Sequence, residues 1–142
     1  MNISTKGRYG LRAILDIAVH QEREPIALSS IAERQGLSEG YLEQLMIPLK
    51  RAGLIRSVRG AQGGYLLIKQ PGEIMVGDVI RALEGPIAPV PCVNEDYPED
   101  CNRADSCPTR KVWSKVRDAV AEVLDSFSLE DLVEESLNQR KN

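Results

Sequence analysis

The feature that most constrains this chain is a glycine-rich tip between two β-prone runs, placed directly behind three helix-forming segments. The runs are Leu54 to Val58 and Tyr65 to Ile68, and the tip is Arg59-Gly60-Ala61-Gln62-Gly63-Gly64. That pattern reads as a β-hairpin. Ahead of it, Lys6 to His20 places Leu11, Ile14, Leu15 and Ala18 at helical spacing with no proline. A polar loop follows from Gln21 to Pro25. Ser30 to Gln35 reads as a short helix, with Ser30 and Glu33 at capping-box spacing and Gly36 as its stop. Gly36-Leu37-Ser38 is then a three-residue turn, and Ser38 can cap a third helix with Glu39 in its first turn.

In the third helix Leu42, Leu45, Met46 and Leu49 form one apolar stripe. The opposite face carries Gly40, Glu43, Gln44, Ile47 and Arg51. Pro48 removes one hydrogen bond and should bend the last turn. Helix, short helix, tight turn, helix and hairpin, in that order, specify a winged helix-turn-helix. The expected fold is therefore mainly α with a small β-hairpin wing. Such a third helix presents a polar face of major-groove width. Gln44 can donate to and accept from adenine, and Glu43 can accept from a cytosine amino group. Arg59 at the tip can reach phosphates or a narrow minor groove. The bland alternative is an ordinary polar surface on a protein-binding winged helix.

Charge separates these readings only when it is resolved along the chain. The 142 residues carry a net charge of −3. Residues 1–75 hold 10 Lys and Arg against 7 Asp and Glu, whereas residues 76–142 hold 8 against 14. Lys50, Arg51, Arg56, Arg59 and Lys69 occupy an interval with no acid. The first half thus offers a basic patch to a polyanion, and the second half is acidic. Hydrophobic residues make up 42% of the chain, enough for a packed core. No apolar run approaches ~18 residues and the N-terminus has no apolar h-region, so a cytoplasmic protein without a membrane span is expected.

The second half has its own organisation. Val76, Val79, Ile80 and Leu83 predict a short amphipathic helix stopped by Glu84-Gly85-Pro86. Residues 86–108 contain five prolines, five acids and all three cysteines, with no periodicity, and read as a loop. From Thr109 to Phe127 a long helix returns, with Val112, Val116, Ala119, Val120, Val123, Leu124 and Phe127 in one stripe about 28 Å long. Ser128 and Asp131 resemble a capped restart before a final helix bearing Leu129, Leu132, Val133 and Leu137. The expected division is a DNA-binding domain over 1–75, then a second part over 76–142. That part comprises the 86–108 loop, a 109–127 dimerisation helix and a C-terminal helix. The long stripe pairs either with this chain's own domain or with a second copy. A homodimer is favoured because two recognition helices must reach two half-sites about one DNA turn apart. The candidate interface is Val112, Val116, Val120, Val123, Leu124 and Phe127. Trp113, like Phe127, is expected in a core or interface.

Cys92, Cys101 and Cys107 are separated by eight and five residues. Without a C-x2-C pair, and with an odd cysteine count, a zinc ribbon or disulfide framework is disfavoured. Three thiolates in one loop suit an iron–sulfur cluster, with the fourth ligand supplied elsewhere. Three unrelated thiols are the plain alternative. His20 is the single histidine and stands at the end of the first helix, where it can bond a free carbonyl rather than a metal. One imidazole also excludes most zinc enzymes, and no enzymatic activity is expected.

Several motifs together resemble a known family. They are Ser4-Thr5-Lys6-Gly7-Arg8-Tyr9-Gly10, Tyr41-Leu42-Glu43-Gln44 after Leu37-Ser38, Arg51-Ala52-Gly53-Leu54, and Arg59-Gly60-x-x-Gly63-Gly64-Tyr65. Leu83-Glu84-Gly85-Pro86 and the three cysteines before a Trp-bearing helix complete the set. From about residue 1 to 137 the chain resembles the Rrf-type winged-helix repressors, and within them the IscR branch of iron–sulfur cluster regulators. The resemblance implies a homodimer joined through the long helix. It implies a 2Fe–2S cluster on Cys92, Cys101 and Cys107, delivered by the iron–sulfur assembly machinery, and control of cluster-biogenesis genes on double-stranded operator DNA. The candidate DNA-binding residues are Ser38, Gly40, Tyr41, Glu43, Gln44 and Arg51, with Arg59 and Gly60 of the tip. The IscR branch places a histidine ligand three residues after its last cysteine, and here that position is Arg110. The nitric-oxide-sensing relatives use an N-terminal aspartate, and the matching position is Arg8. The cysteine-metabolism repressors of the family lack the triad and fit less well. A nitric-oxide or redox sensor, a zinc-stabilised loop and an electron-transfer or cluster-carrier protein are the alternatives.

Overall fold

A computed structural model describes residues 2–141. Six helices occur among them: α1 (Thr5–His20), α2 (Leu28–Gln35), α3 (Glu39–Arg51), α4 (Val76–Glu84), α5 (Pro108–Ser126) and α6 (Leu129–Lys141). A hairpin of β1 (Ile55–Val58) and β2 (Gly64–Leu67) stands between α3 and α4. The expected winged helix-turn-helix, mainly α with one small hairpin, is the fold observed.

Local chemistry sets most of the boundaries. Ser4 Oγ accepts from the Gly7 N–H at 3.2 Å and starts α1. The capping box expected at Ser30 is not formed. Helix α2 begins two residues earlier, with Ala27 as its cap, and the Ala27 carbonyl accepts from Ser30 N–H at 3.1 Å. The first turn is held there by half-buried Leu28 against the core rather than by a side-chain cap. Gly36 ends α2 in the left-handed region at φ 66°, where a side chain would be strained. Ser38 Oγ accepts from Tyr41 N–H at 3.2 Å and starts α3 as expected. Pro48 lies inside α3, yet the helix runs on to Arg51.

The core gathers Ile14 and Ile17 from α1, Ile31 from α2, Leu42, Leu45, Met46 and Leu49 from α3, and Ile55 and Leu67 from the hairpin. It does not stop at residue 75. Val79 and Leu83 of α4 and Leu129 of α6 belong to the same cluster. Helix α4 approaches α1 closely at Gly10, where a Cβ would sit 2.8 Å from Leu83 Cδ2. Ser128 and Asp131 form the expected reciprocal cap, at 2.9 and 3.1 Å, and turn α6 back along α1. Helix α5 is different, because none of its residues is buried. No helix among the described residues is long and apolar enough to cross a membrane.

Candidate nucleic-acid interface and cysteine loop

The stripe of α3 that enters the core fixes what its other face presents. Gly40, Glu43, Gln44, Lys50 and Arg51 are exposed, and Ile47 stands among them at 50% exposure. Tyr41 is half-buried, with its ring edge-on to Tyr9 at 6.3 Å between centroids. Ser38 is exposed, but its hydroxyl is already used as the helix cap. Arg59 and Gly60 are exposed at the wing tip, and Gly60 takes φ 106° to turn the chain.

The wing is attached to the helical body by more than its own pairing. Tyr65 and Ile26 exchange two backbone hydrogen bonds, each 2.9 Å. This close approach requires Gly64, whose Cβ would fall 2.8 Å from the Ala27 nitrogen. A groove of about 440 Å³ opens between α3 and the wing, lined by Gly40, Glu43, Gln44, Met46, Ile47, Lys50 and Tyr65. Burial, and then the negative charge of Glu43, push the Tyr65 phenol up from its ordinary pKa. Lys50 and Tyr65 were not singled out from sequence as site residues. Lys50 carried a signal in the acid-free interval; Tyr65 stood in the wing motif, but only folding brings β2 beside α3.

The loop between α4 and α5 has two parts. Its first part is docked: Val93 is fully buried, and Arg117 Nη1 donates to the Val93 carbonyl at 3.2 Å. Arg110 Nη2 donates to the Cys92 carbonyl at 3.3 Å. Arg81 of α4 grips Glu95 in the loop and Asp125 on α5 through both of its guanidinium edges. Its later part is exposed and carries Cys101, whose sulfur accepts from the Arg103 N–H at 3.5 Å. Cys107 stands at the N-terminal boundary of α5 without a capping bond to its backbone, with Sγ 3.1 Å from Thr109 Oγ1. The Thr109 hydroxyl, then the first-turn N–H groups, lower its thiol pKa.

Three soft sulfur donors in one loop suit iron in kind. Their arrangement is open, since no three His, Cys, Asp or Glu side chains among the described residues are gathered to hold a metal. Arg110 cannot be a fourth ligand, and its Nε is buried without a partner. His20 takes the role expected of it, with Nδ1 2.9 Å from the Asp16 carbonyl.

Along α5, Val112 and Val123 are exposed and Val116, Val120 and Leu124 are half-buried; Phe127, expected as its last residue, is exposed and already extended just beyond the helix. Trp113 is 40% exposed, so neither it nor Phe127 belongs to a core within this chain. Ala119, Val120, Val123 and Leu124 meet Ile3 around an apolar depression of about 400 Å³.

The chain is similar to known proteins in sequence and fold. The family model described as Rrf2, iron-dependent transcriptional regulator, matches residues 3–135. CymR of Bacillus subtilis is 50% identical over 132 residues, covering 93% of this chain and 89% of that protein. Its solved structure, described as the global cysteine regulator of B. subtilis, superposes with a TM-score of 0.77 over 95% of this chain and 98% of that one. IscR of Photorhabdus laumondii is 43% identical over 133 residues, covering 94% of this chain and 79% of that protein. The structure of T. potens IscR is 47% identical, with a TM-score of 0.76 over 96% of this chain and 88% of that one. By sequence along nearly its whole length and by fold, this chain belongs to the Rrf2 family of DNA-binding transcriptional regulators.

Proposed function

We propose that this protein is a cytoplasmic homodimeric regulator that reads an operator with α3 and the wing and takes its signal through the cysteine loop. The observation that carries the DNA reading is the exposed Glu43–Gln44 face beside the acid-free wing. Gln44 offers a bidentate partner to adenine. Glu43 is repelled by phosphate and is tolerated only where a base amino group meets it, so it serves selection more than affinity. Arg59 supplies sequence-independent attraction from the tip. Dimerisation through the uncovered α5 stripe sets the spacing of two such faces. Replacing Arg59 by alanine should weaken binding broadly and flatten the salt dependence by up to about one unit of slope. An unchanged slope would remove Arg59 from the interface.

Cys92, Cys101 and Cys107 would hold a 2Fe–2S cluster, supported by their thiolate chemistry and the similarity to IscR. The cluster would supply a redox-sensitive, iron-dependent cross-link to a loop that is otherwise open. This chain's residues supply the relay: Arg81 ties the loop at Glu95 to α4, and α4 packs on both α1 and α3. Anaerobic purification with an absorption spectrum and iron, sulfide and zinc analysis tests the cluster, and alanine at any one of the three cysteines should abolish the visible absorption. A second reading is favoured by Arg110 and by the 50% identity to CymR: a regulator of sulfur or thiol status that senses through the thiols without iron. Purified protein free of iron and sulfide after anaerobic reconstitution would select it.

A further inference from the structure

One large apolar side chain interrupts the polar outer face of α3. The other large apolar side chains of α3, Leu42, Leu45, Met46 and Leu49, are all at most 1% exposed. Ile47 is 50% exposed and lies on the opposite side. Helical spacing puts it one turn beyond Glu43 and three residues after Gln44, in the same outward strip. It lines the groove shared by Gly40, Glu43, Gln44 and Tyr65.

A single exposed isoleucine is ordinary on a protein surface; its surroundings make this one informative. A protein partner would be expected to meet a contiguous apolar patch. Here the exposed neighbours along the strip are Glu43, Gln44, Lys50 and Arg51, and the acid-free Lys50–Lys69 interval adjoins them. The occupant favoured by that charge is a polyanion. Only one group on the major-groove edges of base pairs is apolar, the C5-methyl of thymine.

We infer that Ile47 is a specificity-determining residue that packs on a thymine methyl in the major groove, one helical turn beyond the bases faced by Glu43 and Gln44. The inference rests on α3 being the recognition helix, as proposed above. It assigns an A·T preference within each half-site to van der Waals contact, alongside the hydrogen-bonded selection by Glu43 and Gln44. Burying one methyl changes affinity about four-fold.

The test uses full-length protein and a duplex selected from a randomised pool by the wild type. Each thymine is replaced in turn by deoxyuridine, which removes the methyl alone. The expected result is one thymine per half-site whose replacement weakens wild-type binding about four-fold. Ile47→Ser should bind the unmodified duplex with a similar deficit and lose nothing more from that replacement. Ile47→Val, which loses one methylene, gives an intermediate effect and serves if the serine variant does not melt like wild type. Deoxyuridine costs that are equal in wild type and variant at every position, or absent throughout, overturn the inference. A Gln44→Ala arm separates the two levels. If it shifts a base preference while the Ile47 arm is flat, only the thymine contact falls. If both arms leave every preference unchanged, α3 is not the reading helix and both readings fall.

Discussion

Replacing Arg81 by methionine keeps the aliphatic stem and removes the clamp between α4, the cysteine loop and α5. Arg81 donates to Glu95 at 3.0 and 2.8 Å and to Asp125 at 2.7 and 3.1 Å. The side chains of Arg81 and Glu95 are 28% and 20% exposed, so water replaces that pairing poorly, and its loss costs about 1.5–2 kcal/mol. Asp125 is 43% exposed, which limits its share to about 0.5–1 kcal/mol. The variant should therefore lose about 2–3 kcal/mol. The same clamp sets an acid dependence. The Arg81 hydrogen bonds, chief among the causes, hold the Glu95 carboxyl below its ordinary value of 4.5, helped by the Ile87 N–H and the charges of Arg81 and Arg117. A carboxyl depressed on folding contributes stability above its unfolded pKa and loses it as pH falls through the folded one. Wild type should lose stability below about pH 4.5, and Arg81→Met should show a flatter acid limb. Urea unfolding of both proteins at one protein concentration, at about pH 7 and about pH 3.5, measures both effects. A difference under about 0.5 kcal/mol at neutral pH, or parallel acid limbs, would refute the reasoning.

Val120→Glu places an unpaired charge in the α5 stripe at a cost of several kcal/mol in an interface; sedimentation should show monomer or insoluble protein. Glu43→Ala should lose discrimination of about 1–3 kcal/mol per affected base pair between a matched and a mismatched operator, with little loss of overall affinity at fixed salt. Equal proportional losses on both operators would reduce Glu43 to an ordinary surface residue. Gly64→Ala pushes a Cβ against the Ile26–Ala27 backbone, so it should cost about 1–3 kcal/mol and expose the Tyr65 amide to hydrogen exchange. Wild-type protection at that amide in the variant would mean that the approach of the wing to Ile26 does not require glycine.

Periodicity and punctuation determined the element order. The spacing of Leu42, Leu45, Met46 and Leu49, the cap at Ser38, the stop at Gly36 and the glycines of the tip are local signals, and each acts within one or two turns of chain. The same local logic placed the Ser128–Asp131 cap and the carbonyl partner of His20. It missed the start of α2, because Leu28 joins that helix through burial against distant residues. It could not find Tyr65 beside Glu43, or Arg81 between Glu95 and Asp125, since those contacts join residues 14 to 44 positions apart that only the packed helices bring together. The three cysteines are legible as one set, whereas the fold decides that the Cys92 backbone is docked on α5, Cys107 stands at the start of that helix and Cys101 is exposed. A sequence records which donors exist. Where their sulfurs point depends on the backbone path of a proline-rich loop, and that path is set by buried Val93 and the Arg81, Arg110 and Arg117 guanidinium groups rather than by anything periodic in the loop itself.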